Sequence, residues 1–386
     1  MSLPTIVFDD GRGLLSPLTD LRSAFDVRTG VSTTLERLER SLQVIGLWCT
    51  PTLAELTAER HPPAVAERGL LINDPAMIDR ARGPILLVNG RAPLGAVAAS
   101  HLRLGQILRE AGSGDVIAAL CGPEHARQLI ESNFADCAGL TDAAPVPGAD
   151  RWLISRPWHV RTFRDACIKA DLDQLTPRVM ARIGWPELPP GTLRVGTADV
   201  ACSREADIGP GVILDTTLGP ILIDDEAVIR PGAIISATIG PHAHVLDRCI
   251  IKPNTVIGPW CKVAGEIGGT IFQGMANKAH DGHLGDSYIG EWANLGAGTT
   301  NSNLLNPYGQ VIARPLDADG VPAGNERTGE TFLGCIVGDH AKFAICTRIM
   351  TGAIIGAGTM WAATAAVSGT IGPMRWVTDA GSKPFA

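Results

Sequence analysis

The sequence predicts two domains of different kind: an α/β domain over residues 1–190, then a parallel β-helix of hexapeptide repeats over residues 191–386. Three observations predict this. Aliphatic residues return at every sixth position beyond about residue 200, apolar runs alternate with helical spacings before residue 190, and three prolines crowd residues 185–191 (WPELPPG) between the two patterns. At 386 residues the chain is also longer than one ordinary hydrophobic core accommodates.

In the amino-terminal part, residues 5–8 and ILLVN at 85–89 are unbroken apolar runs and read as buried parallel strands, whereas residues 32–44 and 101–111 carry helical spacing. Ligands of such sheets sit beyond the carboxyl ends of the strands. That directs attention to residues 9–22 (DDGRGLLSPLTDLR) and 89–93 (NGRAP). Gly11 and Gly13 flank Arg12, so backbone amides can approach a phosphate there, with Arg12 and Arg22 supplying charge-assisted hydrogen bonds. A GxG after a strand is equally an ordinary turn.

The repeat runs through Val245, Ile251, Ile257 and Val263, resumes at Ile289 and Leu295, and returns at Val337, Phe343, Ile349, Ile355 and Trp361. A strand of about five residues and a sharp corner make one side of a triangular coil, so about three hexapeptides complete a turn. Each aliphatic points inward, small residues permit the corner, and coils stack at roughly 4.8 Å. The low aromatic content of 5% and the 44 glycines fit such a column, which fills without aromatic bulk. A sandwich of short strands also shows recurrent turns, but its hairpins do not hold a spacing of six over four successive positions. The repeat lapses over residues 304–330, where prolines, glycines and acidic residues replace the aliphatics; this predicts a loop ejected from the coil, on a binding face or as a tolerated insertion.

Composition limits the function. The net charge of −7 comes without a dense Lys/Arg run, which argues against a nucleic-acid surface; a small anionic substrate needs only a few local cations. Nine cysteines, an odd number without a CxxC pair, do not form a disulfide framework and suit a reducing cytoplasm. Met1 opens a polar segment without an apolar signal core, and no run of 18 apolar residues occurs, so neither secretion nor membrane insertion is expected.

Residues 276–303, ANKAHDGHLGDSYIGEWANLGAGTTNSN, set two histidines and several amides inside the repeat. An imidazole with a pKa near 6.5 takes a proton at neutral pH, as a general base must. His280 and His283 equally fit a metal pair, although no third ligand stands at diagnostic spacing, or a structural role on the coil surface. Asn294 fits a stacked amide ladder as well as a substrate contact.

The motifs taken together resemble a known family. Asp9, Asp10, Arg12 and LLSPLT (14–19), then NKAHDG (277–282), IGEWANLGA (289–297) and Asn301 to Asn303 occur in the order found in the divergent bacterial branch of the GlmU family, the bifunctional N-acetylglucosamine-1-phosphate uridyltransferases and glucosamine-1-phosphate acetyltransferases. The resemblance implies a nucleotidyltransferase-like α/β domain followed by a left-handed parallel β-helix, in a cytoplasmic enzyme of nucleotide-sugar synthesis for the cell envelope. Its partners would be a sugar phosphate, a nucleoside triphosphate and acetyl-CoA, with Mg²⁺ for nucleotidyl transfer and a homotrimer lodging acetyl-CoA between chains.

By motif, His280 matches the family's general base. His283 stands where the family has a substrate-binding tyrosine, Asn294 and Asn303 match asparagines of the sugar and acetyl-donor site, and Lys252 lies near a phosphate-binding arginine. Glu266 falls close to the place of a family lysine, which leaves Lys262 and Lys278 as the available cations. In the amino-terminal domain the chain departs from the family's nucleotidyl fingerprint, with Leu18 in place of a lysine after Pro17 and Asn89, Gly90 and Arg91 in place of the metal-binding aspartate; the residues left for nucleotide binding are Asp10, Gly11, Arg12, Gly13, Arg22 and Asn89, with Asp9 or Asp10 to hold the metal. Two narrower functions stay open: an acetyltransferase alone, and a sugar-nucleotide-binding protein without catalysis.

Overall fold

The structure, a computed structural model, describes residues 3–146, 151–183 and 188–385. Two compact units make up the chain: Met1–Gly13, Leu21–Val27 and Ser32–Ser155 form the first, and Leu14–Asp20, Arg28–Val31 and Arg156–Ala386 the second. The long helix His159–Ile183 counts with the second unit. Of the linker expected at 185–191, Trp185, Pro186 and Glu187 lie outside the described residues.

The first unit is built on a seven-stranded sheet of β1 (Pro4–Phe8), β2 (Gln43–Trp48), β3 (Leu71–Ile72), β4 (Ile85–Asn89), β5 (Gln106–Arg109), β6 (Val116–Cys121) and β7 (Thr141–Asp142), in the order β3-β2-β1-β4-β6-β5-β7. Strands β1, β4 and β6 are unbroken apolar runs because both faces of the sheet are covered. Alternate side chains feed two separate cores, Ile6, Phe8, Ile85 and Leu87 on one face and Val7, Leu86 and Val88 on the other. As expected, β1 and β4 pair in parallel, Thr5 beside Leu86 and Phe8 beside Asn89. On its other side, however, β4 pairs antiparallel with β6, so the sheet is mixed.

Two expected helices are corrected. Residues 101–111 form no helix: Gly105 turns the chain at φ +83°, and β5 then pairs antiparallel with β6. The helical spacing of the leucines lost to a long-range strand pairing that buries Ile107 and Leu108 together. The segment 32–44 is helical only over Thr34–Glu39, opened by a capping box between Thr33 and Glu36; Val44 already belongs to β2.

The second unit is the β-helix. Its three faces are parallel stacks of short strands. Val228–Ile229, His244–Val245, Lys262–Val263 and Asn277–Lys278 lie in the first, Ile250–Ile251, Glu266–Gly268 and His283–Gly285 in the second, and Val256–Ile257, Ile271–Phe272 and Tyr288–Ile289 in the third. Every aliphatic of the hexapeptide repeat, from Val245 through Trp361, is buried. Each inward Ile, Val or Leu contributes roughly 2 kcal/mol by leaving water. Between Val263 and Ile289 the period of six slips because coils are shorter there: Thr238 pairs with Val256, but Val256 pairs with Ile271, three residues sooner.

Corners of the coil are taken in the left-handed region. At Gly282, φ is +123° and an added Cβ would lie 2.1 Å from the Thr299 carbonyl oxygen, so the next coil leaves room for no side chain. The third face is apolar outside as well as inside, because Ile168 and Leu172 of the long helix pack on Ala201, Leu222 and Val256.

Between Thr300–Asn301 and Cys335–Val337 the chain leaves the coil and then rejoins it one rung on, with Tyr288 paired to Ile336. The ejected segment folds on itself through the antiparallel pair Ile312–Ala313 and Glu326–Arg327, and it buries Val311, Leu316 and Leu333. Glu326 and Glu330 tie it to Arg156 and Arg161. The final hairpin, Arg375–Thr378 with Gly381–Pro384, closes the stack by antiparallel pairing, as the end of a repeat array requires. Among the described residues no helix is long and apolar enough to cross a membrane.

Candidate functional site

In the first unit, the carboxyl ends of β1 and β4 bring together Asp10, Asn89 and Arg91. The Arg91 guanidinium grips the Asp10 carboxylate from two nitrogens, Nε to Oδ1 and Nη2 to Oδ2, each at 2.8 Å. Both side chains are fully buried. Nη2 also reaches Asp115 Oδ2 at 2.8 Å, and Asn89 Nδ2 donates to Asp10 Oδ2 at 3.0 Å. Arg12 meets the other oxygen of Asp115 at 3.0 Å, and its side chain is 37% exposed, so one guanidinium of the network reaches solvent. Burial alone would raise the Asp115 carboxyl, but Arg91 and Arg12 hold it below the usual carboxylate range.

Asp9 is a brace. Its carboxylate accepts from the Gly11 amide at 3.0 Å and the Ala24 amide at 2.7 Å, and burial pushes its pKa up against those bonds. Gly11 and Gly13 adopt φ of +67° and +89°, and an added Cβ would meet Thr50 at 2.7 Å or the Ser155 backbone at 3.1 Å. The path of the chain itself therefore requires both glycines.

These distances correct the expected roles. Asp10 is committed to Arg91 and Asn89, and Asp9 to two backbone amides, so neither presents a vacant carboxylate to Mg²⁺. Among the described residues no group of three or more His, Cys, Asp or Glu is placed to hold a metal ion. Arg22, expected to supply a charge-assisted hydrogen bond to a phosphate, is 1% exposed. Sequence reading missed the Arg91–Asp115 pairing. Its only sequence sign is an arginine and an aspartate beside two strand ends, which is too common to single out.

In the second unit, His280 is exposed at the corner between the first and second faces. On the first face an outward row passes through Lys262, Asn277, Asn294 and Lys342 in register, and Asn277 Nδ2 donates to Asn294 Oδ1 at 2.9 Å. Asn294 is thus a rung of an amide ladder as well as a surface amide. On the second face, Glu266 lies between Ile250 and His283 in register. It pairs with Lys252 and stands 3.5 Å from His283 Nδ1. Lys252, by its hydrogen bond and charge, holds the Glu266 carboxyl below its usual range. The carboxylate at the place of the family lysine is therefore neutralised locally.

Asn303 closes this face. Its Nδ2 donates to Asp286 Oδ2 at 2.8 Å, while Asp286 Oδ1 pairs with Arg164 at 2.8 Å and Arg161 at 3.3 Å. An added Cβ on Gly285 would lie 2.7 Å from both Asn303 Nδ2 and His283 Nε2, so the glycine lets the two side chains approach across it. Nothing in the sequence marked Asp286 or the helix arginines that anchor Asn303.

Lys278 departs from its expected place. It is 1% exposed and points into the coil, in register with Val263, so it offers no cation to an external phosphate. Its Nζ donates to the carbonyls of His280 at 2.8 Å and Ala264 at 3.2 Å, and burial pushes its pKa down to about 8. The corner at His280 thus joins two groups, Lys262 with Asn277 and Asn294 on one face, and Lys252, Glu266, His283 and Asn303 on the other. Such a corner can accept a proton, hydrogen-bond hydroxyls and balance an anion.

Residues 5–179 match a family model described as sugar nucleotidyl transferase. The chain is 27% identical to the bifunctional protein GlmU of Xylella fastidiosa strains M23 and Temecula1, over 57% of this chain and 46% of the relative, so it spans about half the length of the curated relatives it matches. Among solved structures it is similar to the polysialic acid O-acetyltransferase OatWY, at 13% identity and a TM-score of 0.23 over 50% of this chain and 86% of that one. It is also similar to a UDP-N-acetylglucosamine acyltransferase of Francisella novicida, at 17% identity and a TM-score of 0.26 over 50% of this chain and 68% of that one. The likeness to GlmU read from the motifs is borne out at the distance of a divergent relative, and the amino-terminal part is a sugar nucleotidyl transferase-like domain followed by stacked parallel strands.

Proposed function

We propose that this chain is a transferase of sugar-nucleotide synthesis, whose first unit transfers a nucleotidyl group from a nucleoside triphosphate to a sugar 1-phosphate with release of pyrophosphate and whose coil moves an acetyl group from acetyl-CoA to an amino sugar. One observation carries the reading: the same chain couples a sugar nucleotidyl transferase match over residues 5–179 to an exposed histidine corner in a β-helix. In acetyl transfer the amine must be unprotonated when it attacks the thioester carbonyl. His280 takes that proton, the tetrahedral intermediate collapses, and the thiolate of CoA leaves. A general base of this kind contributes about 10²–10⁴-fold. Lys252 and Lys262 face outward and suit the sugar phosphate; His283, Asn294 and Asn303 suit its hydroxyls.

The residues of the first unit do not fit a preformed Mg²⁺ cage, since Asp10 and Asp9 are both spoken for. No step is assigned to a metal there. This same pairing favours a second reading of that unit, in which it holds a sugar nucleotide without turnover. Pyrophosphate release from UTP and N-acetylglucosamine 1-phosphate, assayed with added Mg²⁺, separates the two: release supports catalysis, and its absence together with UDP-sugar binding supports the second reading.

For the coil, CoA release from acetyl-CoA with glucosamine 1-phosphate tests the proposal. His280→Ala is expected to lower it at least 100-fold, and full retention would remove His280 from the role of base. A homotrimer with acetyl-CoA between chains is part of the proposal, checked by light scattering of the purified protein.

A further inference from the structure

The inward column of the first face runs through Ile229, Val245 and Val263 to Lys278. A lysine at an aliphatic position is expensive to bury, yet here it replaces a side chain that would fill the column unaided. It stacks on Val263 across a coil that is three residues short, and the carbonyls of Ala264 and His280 lie within 3.2 Å and 2.8 Å of its ammonium. Asn301 behaves in the same way in the separate strand pair Thr300–Asn301 with Arg348–Ile349. It is buried in register with Ile349, accepts from the Gly285 amide at 2.8 Å and donates to the Gly285 carbonyl at 3.0 Å. Two polar residues inside the coil therefore grip the backbone on either side of the turn that carries His280 and His283.

We propose that Lys278 is a positioning residue: its ammonium, bonded to the His280 carbonyl from inside the coil, fixes the corner that presents the His280 imidazole to the substrate amine. This rests on the reading of the coil as an acetyltransferase. A purely structural lysine would satisfy the Ala264 carbonyl just as well and would leave the chemistry untouched.

The test uses the full chain with Lys278→Met, which keeps the length of the side chain and removes the donor. With glucosamine 1-phosphate and acetyl-CoA, kcat is expected to fall at least tenfold while KM for acetyl-CoA stays within twofold. In the His280→Ala background, followed with labelled acetyl-CoA, the same change is expected to add less than a twofold loss. Amide exchange gives an arm independent of activity. The Glu266 amide, bonded to the Gly282 carbonyl of this turn at 3.3 Å, is expected to exchange at least tenfold faster, and the Lys252 amide, bonded to Ile267 at 2.8 Å, to change by less than twofold.

Unchanged kcat in a folded variant, or an equal loss with and without His280, would overturn the proposal. If the wild type releases no CoA at all, the acetyl-transfer reading fails by itself, and the exchange arm alone decides whether Lys278 holds the corner: faster exchange supports it and unchanged exchange overturns it. Should Lys278→Met not fold, Lys278→Gln, uncharged but still a donor, carries both arms with an expected loss of at least threefold in kcat; no loss overturns the proposal.

Discussion

Replacing Arg91 by methionine would leave the carboxylate of Asp10 buried without its counter-charge. Wild-type Arg91 makes two 2.8 Å bonds to Asp10, a third of 2.8 Å to Asp115 and one of 3.2 Å to the Ile154 carbonyl. What remains to Asp10 is Asn89 Nδ2 at 3.0 Å and the Arg12 amide at 3.1 Å, neither of them charged. Removing one partner of a buried ion pair costs about 3–5 kcal/mol, most of it the burial of the charge left behind. For a unit of this size that is a fall in Tm of roughly 10 °C. Urea melts of Arg91→Met, Asp10→Asn and the double variant measure it. The double variant is expected to recover about 2 kcal/mol relative to Arg91→Met, because no unpaired charge remains. A cost below about 1 kcal/mol for Arg91→Met, or strict additivity of the two changes, would refute the closed network.

Three further outcomes follow from the same reasoning. Burial lowers Lys278 from 10.5 to about 8, so its penalty is fully present below pH 8 and fades as pH rises towards 10.5; urea melts are expected to show the wild type gaining about 3 kcal/mol on Lys278→Met across that window. The subtraction is needed because burial pushes the thiols of Cys121, Cys249 and Cys261 up to about 12, so both proteins lose stability above about pH 9, where the unfolded thiols ionise. Asp115, held low by Arg91 and Arg12, contributes stability present above its unfolded value of 3.8 and lost as pH falls through its depressed folded value; Asp115→Asn is expected to be less stable at pH 7, with the gap closing on acidification, as acid titration by circular dichroism will show. Gly282→Ala, which drives a Cβ against the Thr299 carbonyl, is expected to cost roughly 2 kcal/mol or more in a thermal melt, and a neutral result would mean that this corner is not packed as described.

The coil was legible because its signal is local and repetitive. Val245, Ile251, Ile257 and Val263 announce the inward column one by one, and all four are fully buried. The signal weakens where coils shorten, and there the sequence offers Lys278 as an available cation, although by register it continues the column of Val263. In the first unit the strands β1 and β4 were legible as apolar runs. Strand β5 was not, because the pairing with β6 that makes it a strand is a tertiary event which Leu102, Ile107 and Leu108 do not encode by their spacing. The candidate site divided in the same way: His280, His283 and Asn303 came from motif, whereas Asp286, Arg164 and Asp115 act through partners distant in sequence.

The ejected segment of the coil bears on how register is kept in such a stack. Tyr288 finds Ile336, and Ile289 finds Val337, as neighbouring rungs do throughout the stack, despite all the chain between them. Register is counted in rungs and is indifferent to how many residues are spent outside. Closing a loop of about 30 residues costs roughly 3 kcal/mol, and doubling it adds only about 0.6. The length of this excursion therefore sets no rung count; what ties it to the later coils is contact, the Arg314 carbonyl with Thr370 and the Leu333 carbonyl with the Gly352 amide. Rung count and excursion are thus separate constraints: the first fixes where Cys335 re-enters the stack, and the second only what lies outside it.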